Sequence, residues 1–219
     1  MLKRALISGF SLLALALTAC NQDQPLQVKQ GHAANEQIEF RVVLENKRSQ
    51  TENHPSLAQL FWLSDAKQML FEAEQAPSTA VQQWLKSGET ELLSQQLKAL
   101  QPAPVYGSLP GSGEPSRVFS FKASPGAKLS LIQALKDRAS VFVAPKTGAI
   151  NLFDDHNEPV SGDFTIQLSM WEIANDASSS QLRIRRVSTP PNEAEITRWL
   201  TVRIENNDTH EHAEDGHSH

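Results

Sequence analysis

The chain predicts an all-β fold, an antiparallel β-sandwich or barrel carrying one short helical insertion. Three observations support this. Apolar and polar side chains alternate at period two in segment after segment, as in a strand with one buried face. No strand-helix-strand rhythm of crossover length recurs, so a parallel sheet is not indicated. Helical spacing appears in one place only, between Pro77 and Pro104.

In chain order, Ile38, Phe40, Val42 and Leu44 form the apolar face of a first strand, opposite Glu39, Arg41, Val43 and Glu45. Pro77-Ser78-Thr79 is a helix start, Ala80 to Lys86 the helix and Gly88 its end. Thr90 then caps a second helix on which Leu93, Leu97 and Leu100 share a face, stopped by Pro102 and Pro104. Gly107 to Pro115 reads as a tight loop ahead of a Val118-Phe119-Ser120-Phe121 strand. A phosphate cradle would need a helix N-terminus next, and prolines and a strand stand there instead. Period two returns in Phe164, Ile166, Leu168 and Met170, in Leu182 and Ile184, and in Leu200, Val202 and Ile204. Trp62, Trp84, Trp171 and Trp199 are expected as core anchors, with Trp171, out of phase with its neighbours, the one placed to face solvent.

The only cysteine, Cys20, ends a short apolar segment, and Leu17-Thr18-Ala19-Cys20 resembles the lipobox of bacterial lipoproteins. Lys3 and Arg4 form a basic n-region, and Ala5 to Leu17 is too short for a stable membrane span. Residues 1–19 are then a signal peptide, and Cys20 carries lipid on its sulfur and amine. The resemblance implies a membrane partner through the lipid anchor. Asn21 after the cysteine is similar to the enterobacterial signal for outer-membrane sorting, so a Gram-negative cell envelope is expected. Residues 20–37, rich in Gln and Asn with Pro25 and Gly31, read as a flexible tether. Its reach is about 20 to 25 Å.

Loss of the leader takes Lys+Arg from 20 to 18 against 25 Asp+Glu, a formal charge of about −7. Such an acidic protein is a poor nucleic-acid partner. Lipidation uses the one thiol, so disulfides, thiolate catalysis and cysteine metal ligands are excluded from the expected chemistry.

Several segments, taken in order, resemble the spondin N-terminal domain as found in bacterial spondin-domain proteins. They are Phe40-Arg41-Val42-Val43-Leu44-Glu45-Asn46, Leu70 to Ser78, Trp84 to Thr90, Leu129-Ser130-Leu131, Val141-Phe142-Val143, and Trp199 with Val202-Arg203-Ile204. The likeness covers residues 38–205. It implies a C2-like antiparallel β-sandwich, a matrix and adhesion module in animals, with a calcium site in the loops at one end. Acidic ligands in that family follow the Leu-Ser-Leu strand and lie in a Tyr-Asp-x-Gly-Thr-Glu/Asp segment. Here the second segment reads Phe153-Asp154-Asp155-His156-Asn157-Glu158, so Asp154 and Glu158 match acidic positions while His156 replaces the glycine. The first departs further, with Ala139-Ser140 where the family has an Asn-Asp pair. A calcium set of Asp154, Asp155, Glu158 and Asp137 stands against a solvated acidic turn, because calcium needs six to eight oxygens.

Residues 206–219 contain no apolar side chain larger than Ala213 and are expected to be disordered. The pairs His210/His212 and His217/His219, with Glu214 and Asp215 between, are borderline ligands suited to zinc, nickel or copper. No Gly-x-Ser-x-Gly elbow or His-Glu-x-x-His helix is present, and the body holds only His54 and His156, so no catalysis is expected. Two functions remain in view: a non-catalytic envelope lipoprotein whose binding module engages a protein or glycan, or a metal-handling protein that gathers ions through its tail.

Overall fold

The computed structural model describes residues 36–47, 57–111, 116–136, 138–176, 181–187, 196 and 200–207. Eleven strands and two helices lie among them: β1 (Ile38–Asn46), β2 (Leu57–Asp65), α1 (Thr79–Ser87), α2 (Glu91–Lys98), β3 (Val105–Leu109), β4 (Ser116–Ala123), β5 (Lys128–Leu135), β6 (Arg138–Pro145), β7 (Ile150–Asn151), β8 (Gly162–Asp163), β9 (Leu168–Asn175), β10 (Leu182–Arg186) and β11 (Leu200–Asn206). A four-stranded sheet runs β4-β1-β11-β8 and a seven-stranded sheet β10-β9-β6-β5-β2-β3, with β7 also beside β5. Every pairing is antiparallel. The fold is an all-β sandwich with a short helical insertion.

One core lies between the sheets. Phe40, Val42 and Leu44 of β1, Phe119 and Phe121 of β4 and Val202 and Ile204 of β11 meet Trp62, Leu129, Leu131, Val143 and Met170 of the larger sheet. Trp62 bridges the two sheets, its ring stacked 4.9 Å from both Phe119 and Phe121. The outer face of the small sheet is polar, with Arg41 of β1 paired to Glu205 of β11. Alternation is strict in β4 and holds in β1 as far as Val42, with Val43 also buried on the outer side.

The larger sheet is covered on both faces. Its second face meets α1, α2 and the Leu70-Phe71 loop in a separate core of Phe61, Leu63, Val81, Trp84, Leu93, Ile132, Phe142 and Trp171. Ser130 holds that loop down: its hydroxyl accepts from Leu70 N at 3.2 Å and donates to Gly148 O at 2.7 Å. Local signals set the helix ends. The Ser78 hydroxyl accepts from Val81 N at 3.2 Å, and Gly88 closes α1 with a left-handed φ of 76°. Thr90 precedes α2 without a side-chain cap.

Four expectations need correction, the first being the Thr90 cap, since its side chain makes no capping hydrogen bond to α2. Trp171 is not at the surface: it is 1% exposed, because β9 lies inside a sheet covered on both sides and both phases of its alternation are interior. Phe164 to Met170 is not one strand: Thr165–Gln167 forms a 3₁₀ turn, and Ile166 is 74% exposed. That turn is imposed by Thr165, whose backbone N donates to Asp163 Oδ1 at 2.8 Å and whose hydroxyl accepts from Val202 N at 2.9 Å. Gly107 to Leu109 is strand rather than loop, because Gly107 pairs with Trp62 and the indole needs the space a side chain would fill. Among the described residues no helix is long and apolar enough to cross a membrane.

Candidate functional site

The acidic segment follows β7 as a closed turn. Phe153 bridges to Pro159, Asp154 N donates to Glu158 O at 2.9 Å, and Asn157 adopts a left-handed φ of 64°. Asp154 organises this turn. Its Oδ1 accepts from His156 N at 2.8 Å and from Glu158 N at 2.9 Å, an Asx-type arrangement that ties one carboxylate oxygen to two backbone donors. Asp155 and His156 are exposed and Glu158 is half-buried. His156 Nδ1 stands 3.9 Å from Asp154 Oδ2.

As a calcium cradle this set is thin, since calcium is held by several converging oxygens. Among the described residues no group of three His, Cys, Asp or Glu side chains is placed to hold a metal ion. Asp137 lies outside the described residues, and its neighbours Lys136 and Arg138 sit at the opposite end of β5 from the acidic turn. Lys128 pairs with Asn151, just before that turn, whereas Leu135 pairs with Arg138. Strand rise puts about 23 Å between those two positions. Ser140, in the loop segment that departs from the spondin pattern, is an exposed β6 residue beside α1.

The acidic turn shares its end of the sandwich with both ends of the described chain. Asn206 Nδ2 lies 3.3 Å from the carbonyls of both Pro159 and Val160, and Asn207 N donates to Glu39 O at 3.0 Å. The start of β1, the close of β11 and residues 154–160 therefore meet at one pole. Asp163 lies on the same side, where β8 pairs with Arg203 and Ile204. Hydrogen bonds from the Thr165 side chain and backbone hold its carboxyl below the ordinary aspartate range, with smaller help from Lys47 and Arg203.

Cys20, His54, Trp199 and the tail residues His210, His212, His217 and His219 lie outside the described residues. Trp62 and Trp84 are core residues, as expected.

Two polar features escaped the sequence reading. Arg117 replaces an apolar residue on the inward face of β4, opposite Leu44, and is 4% exposed. Its Nη1 donates to Gln133 Oε1 at 3.3 Å, while Gln133 Nε2 lies within 3.3 Å of the carbonyls of Ala58, Gln59 and Ala134. The irregular register of β2 between Leu57 and Leu60 sits at this junction. Arg117 shares the phase of Phe119 and Phe121, which was its sequence signal, but a charged side chain at that position reads as solvated. The second feature is Trp171 with the arginines of β10: Arg186 Cζ lies 5.5 Å over the indole centroid. The run Arg183-Ile184-Arg185-Arg186 was its only sequence signal.

No protein-family model matches the chain, and no curated protein is significantly similar to it.

Proposed function

We propose that this protein is a non-catalytic lipoprotein of a Gram-negative cell envelope, anchored in the outer membrane through Cys20, whose β-sandwich serves as a binding or adhesion module for a protein or glycan. The observation that carries the reading is the order Lys3-Arg4, apolar run, Leu17-Thr18-Ala19-Cys20, followed by a polar tether and a sandwich. The spondin resemblance supplies the adhesion theme and the calcium clause, the latter now resting on Asp154, Asp155 and Glu158.

The test is metabolic labelling with palmitate in a Gram-negative host, followed by separation of inner and outer membranes. The wild-type chain takes up label and fractionates with the outer membrane, and Cys20→Ala does neither. Absence of label in the wild type would overturn the reading.

A second reading rests on the His210-Glu211-His212 and His217-Ser218-His219 pairs of the tail. In it the protein gathers zinc, nickel or copper through His210, His212, His217 and His219, with the sandwich as scaffold. Calorimetric titration of the chain with and without residues 209–219 separates the two. Metal binding lost with the tail supports metal handling; binding that is absent, or unchanged by the deletion, rejects it.

A further inference from the structure

The loop from β2 to α1 is fixed at three places. At its start Asp65 Oδ1 accepts from Lys67 N at 2.7 Å and from Gln68 N at 2.8 Å. Next, the buried Ser130 hydroxyl accepts from Leu70 N and donates to Gly148 O. Phe71 then enters the core, its ring edge-to-face with Phe142 and Trp171.

Met69 lies between these fixings, and its thioether rests on Gly148. A Cβ atom on that glycine, whose φ is a left-handed 86°, would lie 3.1 Å from Met69 Sδ and 3.2 Å from Phe71 O. Met69 is 38% exposed, whereas Met170 is 1% exposed in the core between the sheets. The third methionine, Met1, lies outside the described residues. Oxidants in solution reach exposed thioethers first.

The surroundings of Met69 suit a thioether and not a sulfoxide, whose oxygen is a strong acceptor. Donors on this stretch are committed: Gly148 N to Pro145 O at 3.0 Å, the Thr147 hydroxyl to Ala149 O at 2.8 Å, Leu70 N to Ser130, and the Ser130 hydroxyl to Gly148. Phe71 O, on the same side of Gly148, is itself an acceptor and repels another. An oxygen added to Met69 Sδ is therefore satisfied by water, which draws the side chain off Gly148. The same loop walls a cleft of about 320 Å³ against α1 and α2, lined by Met69, Leu70, Phe71, Val81, Leu93 and Leu97 among others.

We propose that Met69 is a site of reversible oxidation, and that its sulfoxide frees the Met69–Phe71 segment from Gly148 and opens this cleft. In the step the O–O bond of hydrogen peroxide breaks and one oxygen bonds to Sδ. Sulfur loses two electrons, and the other oxygen leaves as water. The proposal does not depend on the lipoprotein reading.

It is tested on the full chain purified in detergent, treated with hydrogen peroxide, digested with trypsin and mapped by tandem mass spectrometry. Sulfoxide is expected at Met69, in the peptide Gln68–Lys86, at a rate about tenfold above that at Met170. Hydrogen exchange then reads the loop. The Leu70 amide is expected to exchange about tenfold faster in the oxidised protein, and to regain its protection after treatment with methionine sulfoxide reductases. Met69→Leu keeps an apolar side chain of similar volume and is expected to show no loop response to peroxide. Equal oxidation of Met69 and Met170, or Leu70 exchange unchanged once Met69 is oxidised, overturns the proposal. The same peroxide response in Met69→Leu overturns it as well.

Discussion

A Cβ atom on Gly107 would lie 2.8 Å from Cζ2 of Trp62, its partner across the β2–β3 ladder. The indole therefore folds over bare backbone on one strand while stacking on Phe119 and Phe121 of the opposite sheet. Gly107→Ala must displace that ring or the edge strand. The expected cost is about 1–3 kcal/mol, the usual range for overpacking. Urea unfolding measures it, and an unchanged midpoint would show that the edge strand yields freely.

The Arg117–Gln133 contact joins the sheets through polar groups in an apolar interior. Gln133→Leu removes the acceptor for Arg117 Nη1 and the amide that faces the carbonyls of Ala58, Gln59 and Ala134. A loss of about 2–4 kcal/mol is expected, because buried polar groups left unmatched cost more than their pairing contributes. Adding Arg117→Met recovers part of the loss. A double-mutant cycle should give a coupling of at least about 1 kcal/mol, and additivity would refute the pairing.

Asp163 links acidity to stability. Its folded carboxyl titrates below the ordinary aspartate value because Thr165 donates to the charged form. The contribution is present in full above the unfolded value and is lost as pH falls through the folded one. Melting temperature should therefore drop on acidification below about pH 4, and the drop should be shallower in Asp163→Asn. Parallel acid profiles for the two proteins would contradict this.

Asp154 distinguishes a turn-closing oxygen from a calcium-binding charge. Asp154→Ala removes the acceptor of two backbone N–H groups and is expected to cost about 1–2 kcal/mol, whereas Asp154→Asn keeps an oxygen there and stays within about 0.5 kcal/mol. If calcium occupies the turn, calcium raises the melting temperature of the wild type and not of Asp154→Asn. Identical calcium responses in the two proteins reject that site.

Local chemistry was legible in the chain. Ser78 and Gly88 announced the ends of α1 because each satisfies its own helix terminus with neighbours in sequence. The faces of β1 and β11 were legible for a related reason: with one wet face and one dry face, period two states which side chains turn inward. The large sheet hid its strands. In Leu60-Phe61-Trp62-Leu63 neighbouring residues feed two different cores, so the alternation is erased.

The acidic turn was recognisable as a turn from Asp154 to Glu158, but not its place beside Asn206, which depends on pairings far apart in sequence. By itself the sequence determined the all-β class, the helical insertion, the apolar face of the first strand and the expectation of a lipid anchor at Cys20, since each rests on near neighbours along the chain. Only the tertiary structure decided that the helices cover a second face of the large sheet, that Trp171 lies inside with Arg186 above it, that Arg117 turns inward, and that the strand between Lys128 and Leu135 holds the acidic turn far from Lys136. Those outcomes are set by which surfaces meet and exclude water, a property of paired and packed elements that no single segment carries.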